Sequence, residues 1–469
     1  MSKDPASAIQ LRKFGMRDKL AYAAGDFGCN MSFCLKSYMM IYWTQYMKLD
    51  SYIYASLLLI CQVWDAINDP VIGAMIDADR HKYKRNKFLQ YIWVGSIGLI
   101  VAGALCFLPF PNMGGTIKGI LFVVGYVFWD AFYTVANVPY GSMLPIITED
   151  TVERAQLSSF RSGGATLAGL ATGLLMPMII YDASNNLRGE QLWILALVMG
   201  ILGFIAFQFM IRNTTIRVDT ELRAGEDAPK FNFFAAMKNF VRNRAVLGTT
   251  LAACSMFLSM YGASAASTVM FQAYFKNARI SGIMSFVNMI PTFLWMAFVP
   301  KLVRRFGKKE AAAAGGLFSV ASCVLMCVLP IGPNMTGLAI YMVCQFFNGL
   351  GLGIGNVLSY SMTGDAIDYN ELKFGVRDEG TTYAIHSFFR KLAQGVGPSL
   401  GLVVATALGY VAAQGPNQTP EVALTMRYVV AVYYLLGAIL YLVSYGLIFN
   451  LDKKTVEKMK TELEARHAK

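Results

Sequence analysis

Trp64-Asp65-Ala66-Ile67-Asn68-Asp69-Pro70 is the stretch that most restricts the fold, because two aspartates stand here inside an apolar run from about residue 52 to residue 76. The run is long enough to cross a bilayer as an α-helix. Asp65 and Asp69 are one helical turn apart, so both carboxylates project from one face, and each charge at mid-membrane costs roughly 2.5–3.5 kcal/mol on insertion scales. Both side chains are therefore expected to face a polar interior, where they can hold a cation or share a proton. The pattern predicts an ion-coupled transporter.

The composition places most of the chain in lipid. Of its 469 residues, 55% are hydrophobic and 15% are charged, and the mean hydropathy is +0.45, whereas soluble domains carry about 25% charged residues. We expect an all-α integral membrane protein with twelve transmembrane helices, near residues 20–47, 52–78, 88–109, 116–144, 162–181, 191–211, 245–275, 280–300, 310–331, 335–362, 380–413 and 427–450. An enzyme is not expected, because we find no nucleophile, metal cluster or acid–base constellation at convincing spacing near an interface.

The net charge of +12 does not indicate nucleic-acid binding, because the basic residues occur in short loops on alternate sides of the predicted spans. The positive-inside rule places both termini in the cytoplasm of a multi-pass protein of the cell membrane. The eight cysteines are scattered without a CxxC pattern, which argues against a disulfide framework or a cysteine metal site. We expect membrane lipid as the surroundings of the chain and a monomer as its functional unit.

The longest polar interval, residues 212–244, separates six predicted spans from six. We therefore predict an N-terminal six-helix bundle at 1–211, a cytoplasmic linker at 212–244, a C-terminal six-helix bundle at 245–450 and a cytoplasmic tail at 451–469. Basic loops recur after the second helix of each half and acidic loops after the fourth, as in a parallel repeat. In such folds the substrate site lies near mid-membrane between the halves, which rock around it.

The charged inner loops suggest a gate. In this hypothesis acidic residues after span 10 meet basic residues after spans 2 and 8 when the inner side closes; the residues are Asp365, Asp368, Glu371, Arg85 and Arg305. The alternative is that these side chains only solvate the loops and set the topology.

Several motifs occur together along the chain: Tyr22-Ala23-Ala24-Gly25-Asp26, Trp64 to Pro70, Asn137-Val138-Pro139-Tyr140-Gly141, Arg154-Ala155-Gln156-Leu157 and Asp365-Ala366-Ile367-Asp368-Tyr369. In this order, and over nearly the whole chain, they resemble the glycoside-pentoside-hexuronide cation symporter family. The resemblance implies a major-facilitator fold and uptake of a sugar coupled to a proton or a sodium ion. No cofactor other than this coupling cation is expected.

The segments Arg377 to Tyr383 and Ser387 to Gln394 are similar to the glucuronide permeases of that family. The acids that grip a neutral galactoside in the melibiose permease match Asn30 and Asn137 here, and the stacking aromatic matches Gly141. The resemblance therefore favours an anionic hexuronide such as a glucuronide. A sulfonated sugar or a neutral pentoside is the alternative within the family, and a major-facilitator drug exporter is the alternative outside it.

Span 4 carries Asp130, Tyr133, Thr134 and Asn137 at helical spacing, so all four can project toward one face. Thr134 matches a cation-site position of the family, and with Asp65 and Asp69 it forms the predicted cation site. The two aspartates would ligate the metal if the ion is Na⁺. The alternative for Thr134 is a hydroxyl that satisfies its own helix backbone.

The predicted substrate site uses amides and fixed positive charges. Asn30 and Asn137 can hydrogen-bond sugar hydroxyls without adding charge, or bond to neighbouring helices instead. Arg161 offers a planar fork for a carboxylate, and Lys391 would lie near the cation site and respond to its occupancy.

Three further expectations concern charged, titratable and aromatic side chains. Lys36 and Asp130 lie near the middle of their spans, so either they pair, or Lys36 holds the anionic substrate while Asp130 serves a proton. His386 could relay protons or be a hydrogen-bonded packing residue. Tyr383 and Tyr133 are candidates to stack on a pyranose ring.

Overall fold

The computed structural model describes residues 12–79, 81, 83, 86–148, 150–217, 240–374 and 379–467. The regular elements of these ranges are helices, apart from one isolated bridge between Tyr181 and Leu187. The α-helices are α1 (Met16–Phe33), α2 (Lys36–Ile41), α3 (Ser51–Ala78), α4 (Lys87–Cys106), α5 (Gly115–Ser142), α6 (Leu144–Ile147), α7 (Thr151–Ile180), α8 (Gly189–Asn213), α9 (Arg244–Gly262), α10 (Ser264–Val269), α11 (Ile283–Phe306), α12 (Lys308–Val328), α13 (Met335–Phe374), α14 (Glu379–Ala407), α15 (Pro420–Val443) and α16 (Lys453–His467). Short π-helices follow α2, α10 and α15, at Tyr42–Tyr46, Met270–Tyr274 and Ser444–Ile448.

Within the described ranges, nine helical segments are long and apolar enough to cross a membrane: Ser51–Gly73, Lys87–Cys106, Gly115–Ser142, Gln156–Ile180, Gly189–Asn213, Arg244–Tyr274, Lys308–Val328, Met335–Ser359 and Pro420–Ile448. The predicted all-α membrane architecture is confirmed. Helices also cover the other three predicted spans, at 16–46, Ile283–Phe306 and Glu379–Ala407. The exact count of twelve spans stays a prediction.

Polar side chains set where several of these apolar helices begin. The Asn86 carboxamide oxygen accepts from Phe88 N at 2.9 Å at the start of α4. Asn243 does the same at the start of α9, accepting from Ala245 N at 3.0 Å and from Val246 N at 3.2 Å. Each cap satisfies backbone donors that the first helical turn leaves open.

Asp79 closes the loop after α3. Its Oδ1 accepts from His81 N at 2.9 Å, and its Oδ2 accepts from the Tyr83 and Tyr91 hydroxyls at 2.7 and 2.8 Å. These donors, the His81 N–H foremost, lower the pKa of Asp79 to about 2, because they stabilise the charged carboxylate. The carboxylate is therefore charged, and holds this turn together, at any pH well above 2.

Arg85 of the predicted gate lies outside the described residues.

The chain divides into two compact units. Of the described residues, the first comprises those within 12–43, 67–175 and 188–217, and the second comprises those within 44–66, 176–187 and 240–467. Most of the predicted linker, at 218–239, lies outside the described residues. The division into bundles at 1–211 and 245–450 stays a prediction.

In the first unit, α4 packs on α5 and α8, and α1 packs on α8. A buried ion cluster anchors the start of α1. Asp18 accepts from Arg12 Nη2 at 2.6 Å and from Arg217 Nη2 at 3.0 Å, and its side chain has no exposed surface. The cluster joins the segment before α1 to the segment after α8, at the start of the helix that carries Asp26 and Asn30.

In the second unit, α12 packs on α13 and α15, α9 on α14, and α11 on α13. Its hydrophobic core includes aromatic residues of α15 and of the segment that follows it, Tyr441, Tyr445 and Phe449. Gly351 permits close packing of α12 and α13, because an added Cβ would lie 2.5 Å from the Gly315 carbonyl oxygen.

Candidate functional site

Four polar side chains of α3 and α5 meet in the first unit. Thr134 Oγ1 donates to Asp69 Oδ1 at 2.8 Å. Asn68 Nδ2 donates to Thr134 Oγ1 at 3.1 Å and to Asp130 Oδ2 at 3.0 Å. Asn68, Asp130 and Thr134 are buried, and Asp69 is half-buried. Asn68 therefore connects Asp130 to Asp69 through the Thr134 hydroxyl. The sequence did not reveal this role, although Asn68 stands inside the quoted motif.

The oxygen atoms of this cluster suit a hard cation or a proton. Carboxylate and hydroxyl oxygens are ligands that alkali and alkaline-earth ions accept. Over the ranges that the structure describes, no group of three or more His, Cys, Asp or Glu side chains has the arrangement of a metal site. A sodium ion would thus depend on Asp69, on the Thr134 hydroxyl and on further oxygens.

Asp65 lies one turn before Asp69 on α3 and is half-buried. It belongs to residues 44–66, which pack with the second unit, whereas Asp69 belongs to the first. The prediction that Asp65 completes the cation site stays a prediction.

An ion pair between α1 and α7 forms a second polar centre of the first unit. Arg161 Nε donates to Asp26 Oδ1 at 3.0 Å; the side chain of Asp26 is 11% exposed and that of Arg161 is 37% exposed. Asn30 Nδ2 donates to the Asp26 carbonyl oxygen at 2.9 Å and to Asp26 Oδ2 at 3.4 Å. The structure thus brings the predicted substrate residues Asn30 and Arg161 together through Asp26. Sequence reasoning assigned no role to Asp26, although it stands one turn before Asn30.

Two tyrosines form the platform on which Arg161 rests. The guanidinium carbon lies 4.9 Å from the centre of the Tyr140 ring, a cation–π distance. The Tyr140 hydroxyl donates to the Tyr22 carbonyl oxygen at 2.7 Å, and the two ring centres are 4.7 Å apart. Gly25 is required here, because a Cβ at this position would overlap the Tyr140 ring. The platform holds the guanidinium in one orientation.

Two aromatic rings lie near the ammonium group of Lys36. Its Nζ lies 5.4 Å from the centre of the Tyr126 ring and 5.8 Å from that of Phe33. The Tyr133 ring lies 5.7 Å from Phe33 and stacks on Trp129 at 5.6 Å. The ammonium group is therefore stabilised in part by ring faces, and its pairing with Asp130 stays a prediction.

Asn137, a predicted substrate residue, is half-buried on α5, three residues beyond Thr134.

Comparison with known proteins decides the family. The family described as MFS/sugar transport protein matches residues 21–453. The chain belongs to this family of sugar transporters. The predicted resemblance to the glycoside-pentoside-hexuronide symporters is confirmed, and the transporter is not an enzyme.

Its relatives match along nearly their whole length. The transporter is 30% identical to the Bacillus subtilis symporter YjmB, over 94% of this chain and 93% of that protein. It is 27% identical to the isoprimeverose transporter of Lactiplantibacillus pentosus, over 99% and 94%, and 25% identical to the glucuronide carrier protein homolog of Escherichia coli, over 89% and 88%. A bacterial homologue of the iron transporter ferroportin in its inward-facing state has a TM-score of 0.60 at 12% identity, covering 92% of this chain and 100% of that one. The predicted major-facilitator fold is thereby confirmed.

Two predicted residues of the transporter lie on α14 of the second unit. His386 is buried, and its Nδ1 is 2.9 Å from Thr250 Oγ1. It lines a cavity of about 60 Å³ together with Arg390 and Asn356. Lys391 is half-buried on the same helix. The side chain of Tyr383 lies outside the described residues.

The predicted gate of the transporter is described only in part. Asp365 Oδ2 accepts from Lys308 Nζ at 2.7 Å within the second unit. Asp368 and Glu371 are half-buried on α13, and Arg305 is exposed near the end of α11. Asp365 thus pairs with a basic residue of the loop that was predicted to meet it, and the gating role stays a prediction.

Proposed function

We propose that the transporter imports an anionic sugar, a hexuronide such as a glucuronide, together with H⁺ or Na⁺ by alternating access. The observation that carries this proposal is the geometry of Arg161. Its Nε binds Asp26, its guanidinium is held over Tyr140, and 37% of its side chain is exposed. Because the side chain is partly exposed and arginine favours bidentate binding of carboxylates, the guanidinium can exchange Asp26 for the carboxylate of a sugar.

The polar groups around Arg161 suit the rest of a sugar. The Asn30 carboxamide can exchange its bond to Asp26 Oδ2, which is long at 3.4 Å, for one to a sugar hydroxyl. Asn137 and the ring of Tyr133 would complete the substrate site, with Lys36 and Lys391 as further positive charges. The name of the Escherichia coli relative, a glucuronide carrier protein homolog, supports the same substrate class.

We propose the Asp69 and Thr134 cluster, with Asp65, as the site of the coupling cation. A cation bound there would lower the repulsion between the carboxylates of the site and an incoming anion. Binding of cation and sugar would then be reciprocally coupled. The proposal includes a cell-membrane location with cytoplasmic termini, a monomeric functional unit and no cofactor besides the cation.

A neutral pentoside is the second candidate substrate. The isoprimeverose transporter of Lactiplantibacillus pentosus, at 27% identity, favours it, as do the amides at Asn30 and Asn137. The two candidates differ in what they require of Arg161, because a neutral glycoside has no carboxylate for the guanidinium.

Counterflow in proteoliposomes tests the proposal. The purified transporter is loaded with unlabelled methyl glucuronide, uptake of the labelled compound is measured with and without Na⁺, and a sulfonated hexose and methyl xyloside compete. We expect the glucuronide to exchange, and Arg161→Gln to raise its KM about tenfold or more, as expected for a lost charge-assisted contact. Arg212→Gln, at an exposed helix end, is the control and should leave KM unchanged. Exchange of the xyloside but not of the glucuronide would assign the transporter to neutral pentosides.

A further inference from the structure

We propose that Asp26 takes up a proton when the substrate binds, which releases Arg161 to pair with the substrate. This inference rests on the proposed function and adds the group that takes up the transported proton. In the structure the Asp26 carboxylate accepts a hydrogen bond from Arg161 Nε at 3.0 Å. When an anionic sugar binds, its carboxylate replaces Asp26 as the partner of the guanidinium, and Asp26 takes a proton.

The surroundings of Asp26 make its charge dependent on Arg161. Toward Asp26, α7 presents Arg161, α5 presents the hydroxyl-bearing ring of Tyr140, and α1 itself presents Tyr22, Cys29 and Asn30. The neighbouring face of α8 is apolar, with Met210 against Gly25 and Phe207 against Gly28. Among the described residues, Arg161 is thus the one positive charge beside this carboxylate.

Charge balance then requires a proton. A buried carboxylate that loses its one cationic partner is strongly disfavoured, and protonation is the least costly way to remove the charge. Before binding, the Asp26 carboxylate and the Arg161 guanidinium sum to zero. After binding, neutral Asp26 and the guanidinium paired with a sugar carboxylate again sum to zero. One O–H bond forms on Asp26, one ion pair is replaced by another, and the proton comes from water.

The neighbours of Asp26 suit both protonation states. Asn30 Nδ2 donates to the ionised carboxylate at 3.4 Å. Rotation of the same carboxamide would present its oxygen to a protonated Asp26, since an amide both donates and accepts. The proton site is separate from Asp69 and Thr134, so a sodium ion bound there would add to the proton and would not replace it.

Proton uptake on binding tests the inference without transport. The detergent-solubilised transporter is titrated calorimetrically with methyl glucuronide, from pH 6 to pH 9 in buffers of different ionisation enthalpy. We expect uptake of up to one proton per bound sugar, and a Kd that rises about tenfold per pH unit once free Asp26 is ionised. Asp26→Asn should bind with a pH-independent Kd and no uptake linked to this site. Asp26→Glu should restore uptake, and Glu190→Gln, an exposed residue, should behave like wild type.

The outcomes separate this inference from the proposed function. Binding of the glucuronide by the wild type without proton uptake at any pH overturns the Asp26 site, and so does unchanged uptake in Asp26→Asn. The wild-type measurement is decisive even if that variant fails to fold. A wild-type protein that binds methyl xyloside but no glucuronide overturns the proposed substrate, and the Asp26 site falls with it.

Discussion

Thr134 is the residue at which the hydrogen bonds of the cation cluster meet. Its hydroxyl accepts from Asn68 and donates to Asp69. The family resemblance pointed to Thr134, because this residue matches a cation-site position of the family. Nothing in the sequence indicated that Asn68 would bond to Thr134 and Asp130, because that depends on how α3 is rotated toward α5.

Replacement of Thr134 by Val tests this cluster at nearly constant volume. The Asn68 amide then loses one acceptor and Asp69 loses a donor, a loss of about 1–3 kcal/mol if the groups stay unpaired. We expect the cation concentration for half-maximal uptake to rise about tenfold or more, while Thr134→Ser, which keeps the hydroxyl, stays near wild type. The measurement is uptake against Na⁺ concentration and against pH. An unchanged cation dependence in the Val variant would remove Thr134 from the cation site.

At the scale of the element, Arg427 shows how the end of one helix is satisfied by the side chain of another. It lies on α15, is 3% exposed, and its Nη2 donates to the carbonyl oxygens of Met326 and Leu329 at 3.0 and 2.9 Å. These carbonyls end α12 and have no helical partner of their own. Sequence reasoning did not single out this arginine, because its position in an apolar helix does not show which backbone it reaches.

Arg427→Met should destabilise the protein by about 2–4 kcal/mol, because two buried carbonyl oxygens lose a charged donor. Thermal unfolding can be followed with a thiol-reactive dye, since Cys323 and Cys344 are buried in the same unit. We expect a lower unfolding temperature with an unchanged substrate Kd, and a partial recovery in Arg427→Lys. A Met variant as stable as wild type would show that the two carbonyls find other donors.

At the scale of the whole molecule, the charge carried per cycle decides what drives uptake. A membrane potential contributes about 2.3 kcal/mol per charge per 100 mV. A monoanionic sugar that moves with one cation carries no net charge, so its accumulation should follow the ion gradient alone. In proteoliposomes with a valinomycin-imposed potassium potential and without Na⁺, we expect glucuronide uptake at fixed pH to be insensitive to the potential, because the proton on Asp26 is then the cation that moves with the sugar. Faster uptake at negative interior potential would require a second cation or a neutral sugar.

The membrane-spanning helical fold could be predicted because it depends on local properties. Apolar runs of about twenty residues must satisfy their backbone hydrogen bonds within the segment, so they form helices wherever they cross lipid. The quoted motifs likewise indicated a family of sugar transporters. The grouping of residues 44–66 with the second unit could not be predicted, because packing between distant helices determines it.

The sequence alone identified a helical membrane transporter with two carboxylates one helical turn apart, at Asp65 and Asp69. Only the tertiary structure decided which group each carboxylate meets: Asp26 pairs with Arg161, which is 135 residues away along the chain, and Asp69 bonds to Thr134. The physical reason is that spacing along one helix places side chains on a face. Contact across helices depends on the depth and rotation of both, which are set by packing over the whole unit.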